Sequence, residues 1–325
     1  MALFSGGLDS LLAIKLMLEQ GIEVHALNFV LPFTKADSED QSCSDAIKGI
    51  KILGNIPFKQ QRHGDDFLEM IRGARYGYGK GINPCIDCRI FSIKKGAEYM
   101  EEIGASFVFT GEVLGQRPMS QHSRALGIVE RDSTIPGLIL RPLSAHLLEP
   151  TIPEKNGWVD RERLLSFCGR NRKPQIALAK ELGISAFPSP AGGCILTHSS
   201  FGTRLKDYFS HIDNPKSADM PLLRIARHFR TETGEKIIVA RDGVESERLS
   251  KLATPEDHLL EPQGFSAPAV VLQGDNVKMA LEMMLQFTNK DVPKGSLVVH
   301  SFRGSKESVP VHHEGIDQAL EMVRL

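Results

Sequence analysis

The residues near the amino end of the chain have types and spacing suited to holding a phosphate group. They form the hexapeptide Ser5-Gly6-Gly7-Leu8-Asp9-Ser10. Two glycines allow a tight turn that brings backbone N–H groups close to an anion, and the serine hydroxyls add further donors. An aspartate in such a loop repels phosphate unless it binds a cation, so Asp9 is predicted to hold Mg²⁺ against the phosphates.

The hexapeptide differs from two better-known phosphate loops. It lacks the Lys-Ser/Thr ending of a Walker loop and the spacing of the dinucleotide G-x-G-x-x-G motif. A strand is predicted before it and a helix after it, so the dipole of a helix N-terminus would act on the same anion. This context disfavours the alternative, a glycine–serine turn in which Asp9 only caps a helix.

Three cysteines form a second candidate for chemistry. Cys85 and Cys88 lie in a C-x-x-C motif preceded by Asn83-Pro84, and Cys194 follows Gly193. Both sites are predicted on loops, where thiolates near helix N-termini have lowered pKa values and act as nucleophiles or metal ligands. Cys43 and Cys168 carry no motif, and Cys168 is predicted to lie in the core.

The three cysteines allow two kinds of sulfur chemistry. Two ligands at this spacing with a third distant one suit a [4Fe-4S] cluster that has one open iron. Zinc would normally require a fourth protein ligand, for which His198 is a candidate. The redox alternative is that Cys88 and Cys194 form a transient persulfide and disulfide pair.

The hexapeptide SGGLDS is the signature of the PP-loop ATP pyrophosphatases, and the chain resembles that family. The resemblance implies that the loop holds the pyrophosphate of ATP while a substrate oxygen attacks the α-phosphate. It also implies that adenine lies against the end of the second strand, here Asn28 and Phe29. The implied fold is an adenine nucleotide alpha hydrolase-like α/β domain.

Further motifs resemble the tRNA thiouridylases. These are the Asn-Pro-Cys-x-x-Cys motif and Thr110-Gly111-Glu112. Residues 111–116 with Ser120-Gln121, and Leu140-Arg141-Pro142-Leu143, resemble 4-thiouridine synthetases, whereas Gly193-Cys194 resembles the second cysteine site of 2-thiouridine synthetases. The likeness covers about the first 205 residues.

This resemblance implies an activity, its cofactors and its partners. A uridine carbonyl oxygen in tRNA would be adenylylated with ATP and Mg²⁺, and then replaced by sulfur from a persulfide carrier or from sulfide. In members with three cysteines, a [4Fe-4S] cluster carries the sulfide. The predicted catalytic residues are Asp9, Cys85, Cys88 and Cys194, the first of them binding Mg²⁺. The predicted ATP-binding residues are Ser5, Gly6, Gly7, Asp9, Ser10, Asn28, Phe29, Gly111 and Gln116, and Glu112 and Gln121 are candidates for the pocket lining.

Two other functions were weighed against thiolation. One is an enzyme of the same fold that uses ammonia, such as an amide-forming ligase or a nitrile synthase. The three cysteines argue against it, because ammonia chemistry does not need them. The other is a noncatalytic RNA-binding protein, which the intact phosphate loop disfavours.

The elements that must position these residues alternate along the first half of the chain. Strands are predicted at residues 2–4, 24–30, 57–61 and 105–110, and helices at residues 11–20, 45–54 and 91–103. This alternation predicts a doubly wound α/β fold with a parallel sheet, whose ligands bind outside the carboxyl ends of the strands. The predicted domains are residues 1–147 for ATP, residues 148–212 as a helical extension with Cys194, and residues 213–325 as a small α/β domain.

The last domain has its own pattern and its own resemblance. Strands are predicted at residues 236–240, 269–272 and 297–302, and helices at residues 276–287 and 316–323. His228-Phe229-Arg230, residues 234–241 and residues 295–299 resemble the RNA-binding domain of ribosome-quality-control factors. The alternative is a plain scaffold or dimerisation domain, so a homodimer is a further expectation.

Basic residues suggest where RNA would bind. Arg170-Asn171-Arg172-Lys173 is a compact run, and Lys94-Lys95 lies near the C-x-x-C motif. Arg224, Arg227 and Arg230 repeat every third residue, which would align them along one side of a helix.

Composition limits the class of protein. The chain has 325 residues with a formal net charge of -1, which disfavours a protein that coats nucleic acid nonspecifically. No apolar run approaches the ~20 residues that cross a bilayer, so no membrane association is expected. The odd count of five cysteines indicates no disulfide framework, and a reducing cytoplasm is the predicted location.

Overall fold

The computed structural model describes residues 1–34, 41–188, 193–288, 292–311 and 322–325. It divides into two compact units. The first comprises residues 1–198 with residues 215–217, and the second comprises residues 199–214 with residues 218–325. The sequence instead placed a boundary near residue 212, so the region predicted as one helical extension contributes to both units.

The first unit is built on a five-stranded parallel sheet in the order β3-β2-β1-β4-β5. The strand order reverses between β1 and β4, which is the position where open α/β sheets bind ligands. Its elements are β1 (Ala2–Leu3), α1 (Leu8–Glu19), β2 (Ala26–Val30), α2 (Gln41–Ile52), β3 (Phe58–Arg62), α3 (Asp65–Arg72), α4 (Cys85–Glu102), β4 (Val108–Thr110), α5 (Ser123–Asp132), β5 (Ile139–Leu140), α6 (Ile152–Lys155) and α7 (Lys173–Glu181), with 3₁₀ helices at Ala145–Leu147, Arg161–Arg163 and Ile195–Thr197.

Helices cover both faces of this sheet. Successive residues of a strand point to opposite faces, and β1 shows the consequence. Ala2 and Phe4 pack into the core that contains α1 and α7, whereas Met1 and Leu3 pack into the core that contains α4 and α5. The predicted doubly wound α/β fold is therefore confirmed.

The helix that carries the C-x-x-C motif begins earlier than predicted. The sequence placed it at residues 91–103 and put the cysteines on the preceding loop, which is wrong, because Cys85 is the first residue of α4. Pro84 stands at the N-cap, where its missing N–H costs no hydrogen bond. The helical spacing of Ile86, Ile90 and Ile93 then continues without a break into the core.

The region after residue 148 is less helical than predicted. Only α6, α7 and short 3₁₀ turns form between residues 148 and 188. Prolines in the first turns mark where α6 and α7 begin, and Gly157 and Gly183, with φ angles of 69° and 70°, follow their last turns and end them. The sequence also did not predict α3, α5 or β5.

The second unit is built on a seven-stranded sheet in the order β11-β10-β8-β9-β7-β6-β12, in which all neighbours are antiparallel. One core lies against α11, and another lies between the sheet and the two helices α9 and α10. Its elements are α8 (Ser199–His211), α9 (Met220–Arg224), β6 (Arg227–Thr231), β7 (Lys236–Val239), α10 (Gly243–Leu252), β8 (His258–Gln263), β9 (Val270–Gln273), α11 (Val277–Gln286), β10 (Leu297–Phe302), β11 (Ser305–Pro310) and β12 (Met322–Arg324), with a 3₁₀ turn at Ser217–Asp219.

One prediction for this unit is wrong, and another lies mostly outside the described residues. Arg227 and Arg230 lie on β6 and not on a helix, because residues 227–230 pair with β7. Their side chains are also engaged: Arg230 pairs with Asp207, and Arg227 donates to the Ala240 carbonyl. The helix predicted at residues 316–323 falls mostly outside the described residues, and its described end is part of β12.

In the part of the chain that the structure describes, no helix is both long and apolar enough to cross a bilayer.

Candidate nucleotide and thiol site

The phosphate loop connects β1 to α1 at the carboxyl edge of the sheet. Gly6 has a φ angle of 78°, a left-handed conformation that glycine adopts without strain. Within the loop, the Ser10 hydroxyl donates to the Gly7 carbonyl at 2.8 Å, and Gly7 N–H donates to the Ser5 hydroxyl at 3.3 Å. No side chain caps α1, so the alternative of Asp9 as a helix cap is not what the structure shows.

Asp9 has one carboxylate oxygen engaged and one without a partner. Its Oδ2 accepts a hydrogen bond of 3.0 Å from Nε2 of Gln116. Its Oδ1 is buried and has no hydrogen-bond partner among the described residues. An orphaned carboxylate oxygen beside a phosphate loop fits Mg²⁺, which is commonly held by one or two carboxylates together with substrate phosphates.

The segment after β4 packs directly against the phosphate loop. A Cβ atom added to Gly111 would lie 2.5 Å from the Ser10 nitrogen and 2.6 Å from the Asp9 carbonyl carbon, both backbone atoms. Only glycine therefore allows β4 and α1 to approach so closely. The sequence-predicted residues Gly111 and Gln116 both meet the loop, one through this contact and the other through its hydrogen bond to Asp9.

Asn28 and Phe29, predicted to face adenine, are partly engaged within the protein. The Asn28 amide donates to the Phe4 carbonyl at 2.8 Å and accepts from Gln60 at 2.9 Å. The Phe29 ring stacks on His63 with a centroid distance of 4.3 Å. Asn28 thus fixes the end of β1, and the Phe29 side chain packs against both His63 and the neighbouring core.

The second cysteine site is brought to the first by contacts between two loops. The Ile82 N–H donates to the Leu196 carbonyl at 3.0 Å, two residues beyond Cys194. Gly81, with a φ angle of 74°, lies against the same carbonyl: an added Cβ would be 2.4 Å from that oxygen. Neither residue was singled out from the sequence, because nothing in a single glycine indicates which loop it will meet.

The surroundings of two thiols of this site raise their pKa values. Burial raises the pKa of the Cys88 thiol to about 12. Burial likewise raises the pKa of Cys194, and the proximity of Cys85 adds to the effect at both thiols. The lowered pKa values predicted for these positions are therefore wrong for Cys88 and Cys194, since desolvation outweighs the helix N-terminus.

A buried carboxylate links α4, β4 and β5, and the sequence analysis missed its partners. Glu112 pairs with Nε of Arg89 at 2.9 Å and with Nε of Arg141 at 3.1 Å. Burial alone would raise the pKa of Glu112, but the two guanidinium groups outweigh it and the pKa lies below its usual range. Arg89 directly follows Cys88, so this network fixes the first turns of α4 relative to the sheet edge.

The three cysteines do not form a ready-made metal site. Across the described ranges, no three His, Cys, Asp or Glu side chains are grouped so as to hold a metal ion. In this arrangement the described side chains therefore present no preformed site for a [4Fe-4S] cluster.

Other predicted residues have different roles or surroundings. Gln121 is buried, and its carbonyl accepts from Gly115 N–H at 2.7 Å, so it shapes the loop after β4. Cys168 was predicted to lie in the core, which is wrong: it is exposed, because successive side chains of this extended segment alternate between the interior and the surface. Lys94, Arg170 and Lys173 are exposed.

Comparisons with known proteins follow the same division of the chain. Residues 1–147 match the family model described as thiamine biosynthesis protein (ThiI), and residues 226–319 match that of the NFACT protein RNA binding domain. No match was found among curated protein sequences.

Solved structures resemble parts of the chain at low identity. One is a 4-thiouridine synthetase–RNA complex with bound ATP, at 22% identity and a TM-score of 0.42, covering 68% of this chain and 50% of that one. Another is the U34-tRNA thiolase NcsA from Methanococcus maripaludis with its [4Fe-4S] cluster, at 16% identity and a TM-score of 0.34, covering 69% of this chain and 70% of that one. A third is NMN synthetase from Francisella tularensis, at 15% identity and a TM-score of 0.36, covering 65% of this chain and 76% of that one.

The chain thus spans half the length of the first of these structures. The family models agree with the resemblances drawn from the phosphate loop and from the last hundred or so residues. The two matches thus fall in separate units: residues 1–147 resemble the ThiI family, and residues 226–319 resemble the NFACT RNA binding domain.

Proposed function

We propose that this protein is an ATP-dependent sulfurtransferase that thiolates a uridine in tRNA. The observation that carries the proposal is the segment from Gly111 to Gln116. It contacts the backbone of the phosphate loop at one end and hydrogen-bonds Asp9 at the other. Through Glu112 it is also joined to Arg89, the neighbour of Cys88. Nucleotide and sulfur functions thus share one sheet edge.

In the first step the uridine oxygen attacks the α-phosphate of ATP. Backbone N–H groups at Gly6 and Gly7 and the uncapped N-terminus of α1 bind the leaving pyrophosphate. Asp9 would hold Mg²⁺ through its free oxygen, and the ion would neutralise charge on the phosphates. Gln116 orients the Asp9 carboxylate by donating to its other oxygen.

In the second step sulfur replaces the adenylylated oxygen. Cys88 and Cys194 are proposed to act as the pair: a persulfide on one attacks the activated carbon, AMP leaves, and the other resolves the resulting disulfide. A sulfur donor must supply the persulfide, and a dithiol reductant must restore the pair. Cys85 lies close enough to both to influence their pKa values. A [4Fe-4S] cluster, as also predicted from the sequence, is the competing arrangement.

The NFACT-type domain is proposed to bind tRNA. Its match to an RNA-binding family supports this role. A target uridine in folded tRNA is stacked and must be exposed before it reaches the phosphate loop.

The test of the proposed function measures both half-reactions with the full chain. Wild-type protein with ATP, tRNA and a persulfide donor should exchange pyrophosphate into ATP and form thiouridine, detected by mass spectrometry of tRNA nucleosides. Asp9→Asn, which keeps the side-chain shape, should lower pyrophosphate exchange by about 100-fold or more. If Asp9→Asn exchanges pyrophosphate at the wild-type rate, the assignment of the loop is wrong.

The sulfur assignment is tested separately from the loop. Cys88→Ser and Cys194→Ser should abolish thiouridine formation while pyrophosphate exchange continues, and Cys43→Ser, which lies outside every motif, serves as the control. Iron and sulfide analysis of protein purified without oxygen decides between the two sulfur routes. Several irons per chain would replace the persulfide route by the cluster route.

A further inference from the structure

Arg117 is a cation without a counter-charge at the edge of the candidate site. Its side chain is exposed, and no carboxylate of the described residues pairs with it. The other two arginines near this edge share two carboxylates, since Arg89 pairs with Glu112 and Arg141 pairs with both Glu112 and Glu130. Arg117 therefore leaves one positive charge available to a ligand.

The loop that carries Arg117 is held firmly on both sides. The Arg117 carbonyl accepts hydrogen bonds from Gln121 N–H at 2.9 Å and from Ser120 N–H at 3.3 Å. The Gly115 N–H donates to the Gln121 carbonyl at 2.7 Å. Gln121 is buried, so the turn is anchored in the protein interior. The position of the Arg117 backbone is thus defined before any ligand binds.

This loop stands between the phosphate loop and the cysteines. On one side, the preceding residue Gln116 donates to Asp9 at 3.0 Å. On the other side, the Met119 side chain lies against Gly79, where an added Cβ would be 2.8 Å from its terminal methyl group. Gly79 belongs to the loop that leads into Cys85. The Arg117 guanidinium is also close enough to Cys88 and Cys194 to lower the pKa of both thiols, against the larger effect of burial.

A free cation in this position suits an anion that lies between nucleotide and thiol. Under the proposed function, that anion is the phosphoryl group joining the uridine to AMP. When sulfur attacks, a C–S bond forms and the C–O bond breaks, and the electron pair leaves on the AMP oxygen. The phosphodiester monoanion becomes the AMP dianion, so negative charge grows on the phosphoryl group during this step.

We propose that Arg117 binds the phosphoryl group of the adenylylated uridine from the thiol side and stabilises AMP as it leaves. The proposal rests on the proposed function. It assigns Arg117 to the second half-reaction, whereas Asp9 and the glycines serve the first. The sequence motifs did not single out this residue, because its importance arises from the folding of the loop.

The experiment compares Arg117→Ala and Arg117→Lys with wild-type protein. The control is Arg124→Ala, because Arg124 is likewise exposed but lies on α5. Pyrophosphate exchange with tRNA reports the first half-reaction, and single-turnover thiouridine formation reports the second. We expect Arg117→Ala to slow thiouridine formation by about 100-fold with exchange within twofold of wild type. Adenylylated tRNA should accumulate, and added guanidinium ion should restore part of the rate.

Each alternative outcome overturns the proposal. If exchange falls as much as thiolation, Arg117 acts on ATP and not on the leaving AMP. If the rate of Cys88 or Cys194 alkylation at pH 8 falls in proportion to thiolation, Arg117 acts on the thiols. If neither half-reaction changes, Arg117 has no role. Loss of both half-reactions in wild-type protein would instead refute the proposed function.

Discussion

At the scale of single residues, the site depends on which polar side-chain atoms have partners within the protein and which do not. Asp9 keeps one oxygen free, whereas Glu112 is surrounded by two guanidinium groups and is held ionised. A buried ion pair adds little net stability, but removing one partner leaves an uncompensated charge. Through these two ion pairs, Glu112 holds α4 in position against the sheet edge.

Gly111 gives a residue-scale prediction. In Gly111→Ala the new methyl group would collide with backbone atoms of Asp9 and Ser10, so the phosphate loop must shift. We expect pyrophosphate exchange to fall by about 100-fold, the cost of misplacing groups near the reacting atoms by about 1 Å. Gly127→Ala is the matched control, because nothing lies within 4 Å of its added Cβ. Equal activity of the two variants would contradict the close approach.

At the scale of elements, two loops and an aromatic stack decide what meets at the sheet edge. The loop before α4 and the loop after Cys194 join through Gly81, Ile82 and Leu196. His63, directly after β3, stacks between the rings of Phe29 on β2 and Phe67 on α3. It also meets the ring of Phe91 on α4 in an edge contact. Both arrangements bring together segments that are distant in sequence.

The contact between the two loops predicts the behaviour of a glycine pair. Gly81→Ala places a methyl group 2.4 Å from the Leu196 carbonyl oxygen, so the Cys194 loop must move away from α4. Gly77→Ala has the same backbone strain, with a φ angle of 73°, but meets no atom within 4 Å. Short bifunctional maleimides should link Cys88 to Cys194 in wild type and in Gly77→Ala, and give a several-fold lower yield in Gly81→Ala. Comparable yields in both variants would refute the loop contact.

The aromatic stack predicts a pH dependence of stability. Burial lowers the pKa of His63 from 6.5 to about 4. As pH falls from 6.5 towards 4, the unfolded chain takes up a proton that the folded protein refuses, so the free energy of unfolding decreases. The loss is on the order of 3 kcal/mol when complete. The free energy of unfolding, measured with urea at pH 7 and pH 4.5, should fall less for His63→Phe than for wild type. If the difference in stability between the two proteins is the same at both pH values, the buried imidazole is not held neutral.

At the scale of the whole molecule, the chain combines two units of different construction. A parallel sheet with the candidate site at its edge is followed by an antiparallel sheet in the region that matches the NFACT RNA binding domain. Under the proposed function, a formal net charge of -1 requires that RNA affinity come from particular surfaces. Arg227 and Arg230 are engaged within the protein, so we expect exposed cations elsewhere in this unit to make the phosphate contacts.

The hairpin of β10 and β11 provides a test of RNA binding. Arg303 and Lys306 are exposed there, and Arg303 pairs with Glu256, itself 71% exposed. Exposed pairs are weak and yield readily to a phosphate. In the full chain, Arg303→Gln with Lys306→Gln should reduce the salt dependence of tRNA affinity by a slope of about 2, while Lys180→Gln in the first unit should change it little. An unchanged slope would place the phosphate contacts elsewhere.

Local sequence patterns predicted much of the first unit, since apolar runs alternating with helical spacing correspond to β1, β2, β3 and β4. They failed where tertiary contacts decide. The C-x-x-C motif was assigned to a loop because helix propensity does not show that Pro84 can begin a helix. Arg227 and Arg230 were assigned to a helix because a spacing of three residues fits one side of a helix. The spacing does not show that residues 227–230 pair with β7.

The sequence by itself determined the phosphate loop, the fold class and the presence of a second region that resembles an RNA-binding domain. Glycines, an aspartate and hydroxyls at that spacing have few other uses, and periodicity is a local property of the chain. Only the tertiary structure decided that Cys194 lies near the C-x-x-C motif, that burial raises the pKa of Cys88 and Cys194, and that no carboxylate of the described residues pairs with Arg117. Proximity, burial and charge balance depend on segments far apart in the chain, and those meet only after folding.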